Sequence, residues 1–194
     1  MKSNNKLKVK DIITVVLLAM INVVLFFASS LLYATSVTIM LMPIFFSLLE
    51  GIVFFIIGAR VKKPGAILIY CVVRAILGGY LPYVILFILS GVIAELILWR
   101  TGYGSAGGLT VSYIINQLFA GTGSTLFPYV IAASTMEDHA VTDGRQDNIN
   151  AASEILRSWG WIALLGGIVV ASFIGALIGR RVVKKHLSAV SSEK

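Results

Sequence analysis

Three ionisable residues stand inside long apolar runs of this sequence. They are Glu50 in the run 41–59, Arg74 in the run 65–80 and Glu95 in the run 82–99. An ionised group at membrane depth costs at least about 2.5 kcal/mol on insertion scales, so such groups usually face the protein interior and have a partner. These three residues are therefore the first candidates for ligand binding or for buried ion pairing.

Depth along the helices predicts which of the three meet. Glu50 lies nine residues before the end of its run, and Arg74 lies nine residues after the start of the next. At 1.5 Å per residue both sit about 14 Å from the same membrane face, which predicts that they pair. Glu95 is only four residues from Trp99, nearer that face, and should stay apart. The pair either contributes to ligand binding or only holds two helices together.

The composition predicts an integral membrane protein that is all-α. Hydrophobic residues make up 58% of the 194 residues and charged residues 13%, and the mean hydropathy is +0.92. Several runs reach the roughly 20 apolar residues that span a bilayer. We expect a single polytopic membrane domain, 1–194, with six transmembrane helices at about 12–32, 37–59, 65–80, 82–99, 109–133 and 159–179, and an extracellular loop at 134–157.

The net charge of +7 is distributed as in a membrane protein rather than a nucleic-acid-binding protein. With six spans, 13 of the 16 Lys and Arg residues fall on one side. By the positive-inside rule that side is cytoplasmic, and both termini lie there. The lone Cys71 lies within a span, so no disulfide framework is possible. We therefore expect the protein to lie in the lipid bilayer and not to bind nucleic acid.

Catalytic motifs are missing from the sequence. It has two histidines, His139 and His186, in separate polar segments, which is too few for a zinc site, and it lacks the Gly-x-x-x-x-Gly-Lys-Ser/Thr motif of ATPases. We therefore expect a protein that binds or transports a small molecule, without enzymatic activity and without a resident cofactor or metal.

Polar and aromatic side chains near the outer ends of the spans predict where a ligand binds. Span five carries Asn116 and Gln117, and aromatic residues at the outer level offer flat apolar walls. The polar 134–157 segment is long enough to close over them. A flat micronutrient would suit these walls, with haem as one hypothesis and Met136 or His139 as its axial ligand. The candidate substrate-binding residues are Asn22, Glu50, Arg74, Tyr80, Tyr83, Asn116, Gln117, Phe127, Tyr129, Met136 and His139.

Span six carries a row of small residues at every fourth position. A row in that register lies on roughly one helix face and lets another helix approach closely. The neighbour is either internal or a partner subunit. The row consists of Ala163, Gly167, Ala171, Gly175 and Gly179.

Short motifs resemble the Trep_Strep family. They are Glu50-Gly51, the turn 60–66, Ala94-Glu95 and the segment 102–105. That family is classed with the S-components, the substrate-binding subunits of energy-coupling factor (ECF) transporters in bacterial cell membranes. The resemblance implies a six-helix fold, capture of a micronutrient from outside, and partnership with a transmembrane coupling protein and two ABC ATPases.

The first helix departs from the S-component pattern. Many S-components carry an Ala-x-x-x-Ala patch there for the coupling protein, whereas the equivalent surface here reads Ala19-x-x-x-Val23. Which face docks on a coupling protein is therefore open, with span six as the other choice. The alternatives from other classes are a self-associating channel or exporter and a membrane assembly factor.

Overall fold

The computed structural model describes residues 6–28, 35–132 and 146–191, and within these ranges the chain is helical without strands. The all-α prediction is confirmed. Four helices of the described chain are long and apolar enough to cross a membrane, at Val9–Phe27, Ser36–Arg60, Leu81–Thr101 and Asp147–Lys185. In chain order the α-helices are α1 (Val9–Ala28), α2 (Ser36–Arg60), α3 (Ala66–Gly78), α4 (Leu81–Thr101), α5 (Ala106–Gly121), α6 (Gln146–Ile155) and α7 (Trp161–Ser191).

Two segments have π-helical geometry and continue the α-helices next to them. Thr122–Ile131 extends α5, and Leu156–Gly160 joins α6 to α7. Pro128 lies inside the first segment, and because proline lacks an amide N–H it cannot complete a regular α-helical ladder. We refer to Thr122–Ile131 as the π segment and to Leu156–Gly160 as the π turn.

Helix α3 is short because glycines bound it on both sides. Gly65 precedes it with φ +90° and Gly79 follows it with φ +67°. These left-handed conformations cost little for glycine and end a helix sharply. Helix α4 then begins with Pro82 in its first turn, where no intrahelical N–H is needed.

Basic residues gather at one end of the bundle, which we term the basic end. The α1 start meets the α2–α3 turn there through an ion pair of 2.5 Å between Lys63 Nζ and Asp11 Oδ2. The α4–α5 connection joins the same end, since a Cβ on Gly104 would lie 3.2 Å from the Lys62 side chain. The opposite end, termed the far end, holds the α3–α4 turn and α6.

Helices α2 and α7 meet backbone to backbone. A Cβ on Gly175 would lie 2.5 Å from the Ser47 carbonyl oxygen, and one on Gly179 would lie 2.5 Å from that of Gly51. Ala171 is also buried in this contact region, whereas Ala163 is exposed. The small-residue row of span six therefore contacts α2 inside the bundle from Gly167 onward, and its first member lies outside the contact.

The polar segment expected as a loop at 134–157 is helical over its second half. Ile149, Ala152 and Leu156 follow the i, i+3, i+7 spacing of one helix face, and they pack on Ile39 and Tyr129 in a second apolar core. Residues 133–145 lie outside the described chain. Overall polarity predicted a loop because these three apolar residues are few, although their spacing is that of an amphipathic helix.

Candidate functional site: a cavity lined by a buried ion pair

A cavity of about 460 Å³ lies between helices α1 to α5 and the π segment. This volume falls in the range of small-molecule sites. Its walls are mostly apolar and aromatic, and its polar side chains are Glu50, Arg74, Tyr80, Tyr83, Gln117, Ser124, Thr125 and Tyr129. Most of the surface is therefore suited to a compact apolar or aromatic body with a few polar groups.

Glu50 and Arg74 form the predicted ion pair at the wall of this cavity. Arg74 Nη2 lies 2.5 Å from Glu50 Oε1, and their side chains are only 11% and 1% exposed. Apart from Arg74, Glu50 Oε1 has no donor among the described residues. The Arg74 guanidinium also lies over the Phe87 ring, 5.9 Å from its centroid. Each charge thus compensates the other where water is scarce.

A chain of buried hydrogen bonds fixes the carboxylate side of the pair. Gln117 Nε2 donates to Glu50 Oε2 at 3.0 Å, and Ser47 Oγ donates to Gln117 Oε1 at 3.3 Å. Ser47 also donates to the Pro43 carbonyl at 2.7 Å, and the Tyr113 hydroxyl donates to the Ser47 carbonyl at 2.7 Å. Glu50 is therefore held by side chains whose own positions are set by packing on α2 and α5.

Arg74 keeps one buried donor without a partner. Its Nε has no hydrogen-bond acceptor within the described chain. An unmatched buried donor costs roughly 1–3 kcal/mol. A ligand acceptor in the cavity, where Arg74 is part of the lining, would remove that cost.

The π segment supplies the wall opposite α2 and α3. Ser124 and Thr125 present hydroxyls there, 3.4 Å from one another. A Cβ on Gly123 would lie 2.9 Å from the Tyr83 Cα, so only glycine lets this wall approach α4 so closely. π-Helical insertions often occur at functional sites because they re-aim side chains.

The chain matches a known family over nearly its whole length. The model of Trep_Strep, described as a hypothetical bacterial integral membrane protein, matches residues 9–188. This chain belongs to the Trep_Strep family. No curated protein and no solved structure matches it.

The cavity of this Trep_Strep protein brings together about half of the predicted binding residues. Glu50, Arg74, Tyr80, Tyr83, Gln117 and Tyr129 line it, and so does Val23, which was expected at a docking surface. Phe127 lies just behind the wall, with its ring 6.3 Å from that of Tyr80. Met136 and His139 lie outside the described residues.

Two predicted binding residues stand outside the cavity lining and form hydrogen bonds between helices. Asn22 Nδ2 donates to the Tyr70 hydroxyl at 2.8 Å, and Asn116 Nδ2 donates to Ser90 Oγ at 2.7 Å. Both asparagines are fully buried. Ala19 is likewise fully buried in the core, so this position of α1 offers no free surface to a coupling protein.

Cavity residues that the sequence interpretation missed include Met42, Phe46 and Ser124. The first two precede Glu50 by eight and four residues, so they share its helix face. That spacing could have found them once Glu50 was placed in a site.

Glu95 has a different role within the Trep_Strep bundle. Its carboxylate accepts the backbone N–H groups of Gly65, Ile67 and Leu68 at 3.0, 3.1 and 3.2 Å. These are the unpaired donors at the start of α3, where the helix dipole also favours a negative charge. Burial and the nearby Glu95 charge raise the pKa of the Tyr103 phenol. Glu95 therefore anchors α3, the helix that carries Arg74, to α4.

Proposed function

We propose that this chain is the substrate-binding membrane subunit of an ECF-type importer. In this role it captures a small micronutrient from outside the cell and delivers it inward. It has no catalytic activity of its own. A separate transmembrane coupling protein and two ABC ATPases supply the energy.

The observation that carries the proposal is the unmatched Arg74 donor at the wall of a small-molecule cavity. Arg74 Nε is buried without an acceptor within the described residues, next to an ion pair that Gln117 already braces. Aromatic side chains such as Phe46 and Tyr83 line the same cavity. This arrangement suits a ring-containing molecule with a hydrogen-bond acceptor at one edge.

Helix α6 supports a capture mechanism at the far end. Its apolar face packs on Ile39 and Tyr129, and both of these residues also line the cavity. A cover held by one short helix face can open at a low free-energy cost compared with unfolding of the bundle. We propose that α6 closes the cavity after the substrate enters.

The small-residue row of α7 helps to distinguish the proposed function from its alternative, a self-associating channel. A channel that self-associates through this row would need it at the surface, but Gly175 and Gly179 contact the backbone of α2. The sequence also lacks the phosphate-binding motif of ATPases. The first observation disfavours a pore assembled through this row, and the second fits a subunit whose energy comes from partner ATPases.

The orientation in the proposal follows from charge. The basic end should face the cytoplasm, with the cavity end outside. Single cysteines replacing Lys62 and Ser158, each in a Cys71→Ala background, should then react with an impermeant thiol reagent from opposite sides of intact cells. Reaction of both from the same side would contradict the orientation.

The function is tested by purifying the chain from its native membrane in mild detergent. Mass spectrometry of the preparation should find a bound small molecule, a coupling protein and ATPase subunits. The double variant Glu50→Gln/Arg74→Gln, which removes both charges together, should lose the small molecule, whereas Arg157→Gln at the exposed π turn should retain it. Recovery of the chain only with copies of itself, or ligand retention in the double variant, would exclude the proposal.

A further inference from the structure

A second cavity, of about 410 Å³, lies at the basic end, away from the site described above. We refer to it as the basic groove. Lys62, Arg180, Arg181 and Lys184 line it, and none of its other described lining residues is acidic. The cations come from the α2–α3 turn and from α7, two parts of the chain separated by more than a hundred residues. The fold therefore concentrates positive charge in one concave place.

The floor of the basic groove is apolar. Phe55, Leu109 and Leu177 line it below the charged residues. Arg180 directly follows the small and apolar run of α7, so the cations stand where that run ends. The groove thus presents positive charge at the level of lipid headgroups and apolar surface at the level of acyl chains.

The start of α5 adds backbone donors to the same groove. Gly104 and Ala106 line it, and Ser105 Oγ accepts the Gly108 N–H at 3.2 Å. The amides of the first helical turn lack intrahelical acceptors, and the helix dipole is positive there. A phosphate in the groove would meet these groups in addition to the basic side chains.

We infer that the basic groove is a binding site for one anionic phospholipid. Its phosphate lies among Lys62, Arg180 and Arg181, and an acyl chain lies along Leu177, which is the exposed apolar residue of the three. A free phosphate would leave the apolar floor unused. A zwitterionic lipid would bring a second cation beside the basic residues, so phosphatidylcholine should bind more weakly than phosphatidylglycerol.

Native mass spectrometry of the purified chain tests this inference. Phosphatidylglycerol and phosphatidylcholine with the same acyl chains are titrated separately, and wild type should bind one phosphatidylglycerol about tenfold more tightly. Each basic residue near an anionic headgroup contributes roughly fivefold in affinity, so Lys62→Gln/Arg180→Gln/Arg181→Gln should lose on the order of 100-fold. The control Lys8→Gln/Lys10→Gln/Arg100→Gln removes as many exposed charges at the same end and should keep the affinity.

Two further measurements separate the lipid from its headgroup alone. Glycerol phosphate in large excess should fail to displace phosphatidylglycerol. Leu177→Gln should weaken binding of the long-chain lipid, whereas Leu96→Gln on the exposed face of α4 should not. Equal losses in both triple variants, equal affinity for the two lipids, or displacement by glycerol phosphate would each overturn the site.

Discussion

Helix α2 has two faces that hold the bundle together in opposite ways. The face with Gly51 meets α7 through backbone atoms, so close that a Cβ would lie 2.5 Å from the Gly175 carbonyl oxygen. The face with Met42, Phe46 and Glu50 borders the cavity, where a charged partner and amide hydrogen bonds replace close packing. Packing on the α7 face thus requires glycine, which has no side chain. The cavity face is stabilised by the Glu50–Arg74 charge pair rather than by close packing.

This difference separates stability from binding. Substitutions on the α7 face should change the free energy of unfolding whether or not a ligand is present, because that contact is dry and filled. Substitutions on the cavity face should affect ligand affinity, and they should affect stability only where they unbalance the Glu50–Arg74 pair.

The largest expected effect comes from removing one member of that pair. Glu50→Gln or Arg74→Gln alone leaves a buried uncompensated charge, and each should lower the free energy of unfolding by about 3–5 kcal/mol. The double variant should lose less than the sum of the two. Equilibrium unfolding in mixed micelles measures all four species, and strict additivity would mean that the two side chains do not interact.

A smaller but ligand-independent loss is expected on the α7 face. Gly175→Leu inserts a side chain where the Ser47 and Leu48 carbonyls already stand, and overpacking of this kind costs about 1–3 kcal/mol. Leu177→Ala, two residues away and 38% exposed, is the matched control and should cost much less. If the two variants unfold alike in the same micelles, the α2–α7 contact does not carry the stability assigned to it.

Glu95 sharpens the comparison because it is also an acidic residue inside the bundle. Glu95→Gln keeps one acceptor oxygen for the α3 amides but loses the charge, so we expect a loss of about 1 kcal/mol. Ligand affinity should not change, in contrast to the Glu50 variants. Glu154→Gln on the exposed face of α6 serves as the control in the same thermal unfolding assay. A change in ligand affinity in Glu95→Gln would place this carboxylate in the binding site after all.

The sequence predicted the features that depend on local rules. Apolar run length predicted the apolar helices, though not α6, and depth counting paired Glu50 with Arg74, because both follow from the fixed rise per residue of a helix. The small-residue row of α7 likewise predicted close packing, although its partner α2 depends on the tertiary arrangement.

Features that depend on the tertiary arrangement of the helices could not be predicted from the sequence. Asn22 and Asn116 were candidates for ligand binding because polar residues in apolar runs often are. In the structure their amides bond to Tyr70 and Ser90 on neighbouring helices, outside the cavity lining. The Glu95 contacts with the α3 amides also escaped prediction, since backbone donors leave no signal in residue type.

The smallest effect is expected from Ser124, at the exposed side of the π segment. Its hydroxyl lines the cavity beside that of Thr125, so Ser124→Ala removes one polar group from the site while leaving the packing unchanged. The free energy of unfolding should move by less than about 0.5 kcal/mol. Affinity for the co-purifying small molecule should fall by roughly two- to tenfold, the net contribution of one hydrogen bond.

Ser158→Ala provides the control, because that hydroxyl donates to the Ile155 carbonyl at the π turn, outside the cavity. Isothermal titration measures both variants, and equal affinities would mean that the ligand makes no hydrogen bond to Ser124, so that any contact with the π segment would have to come from its other lining residues, such as Thr125 and Tyr129.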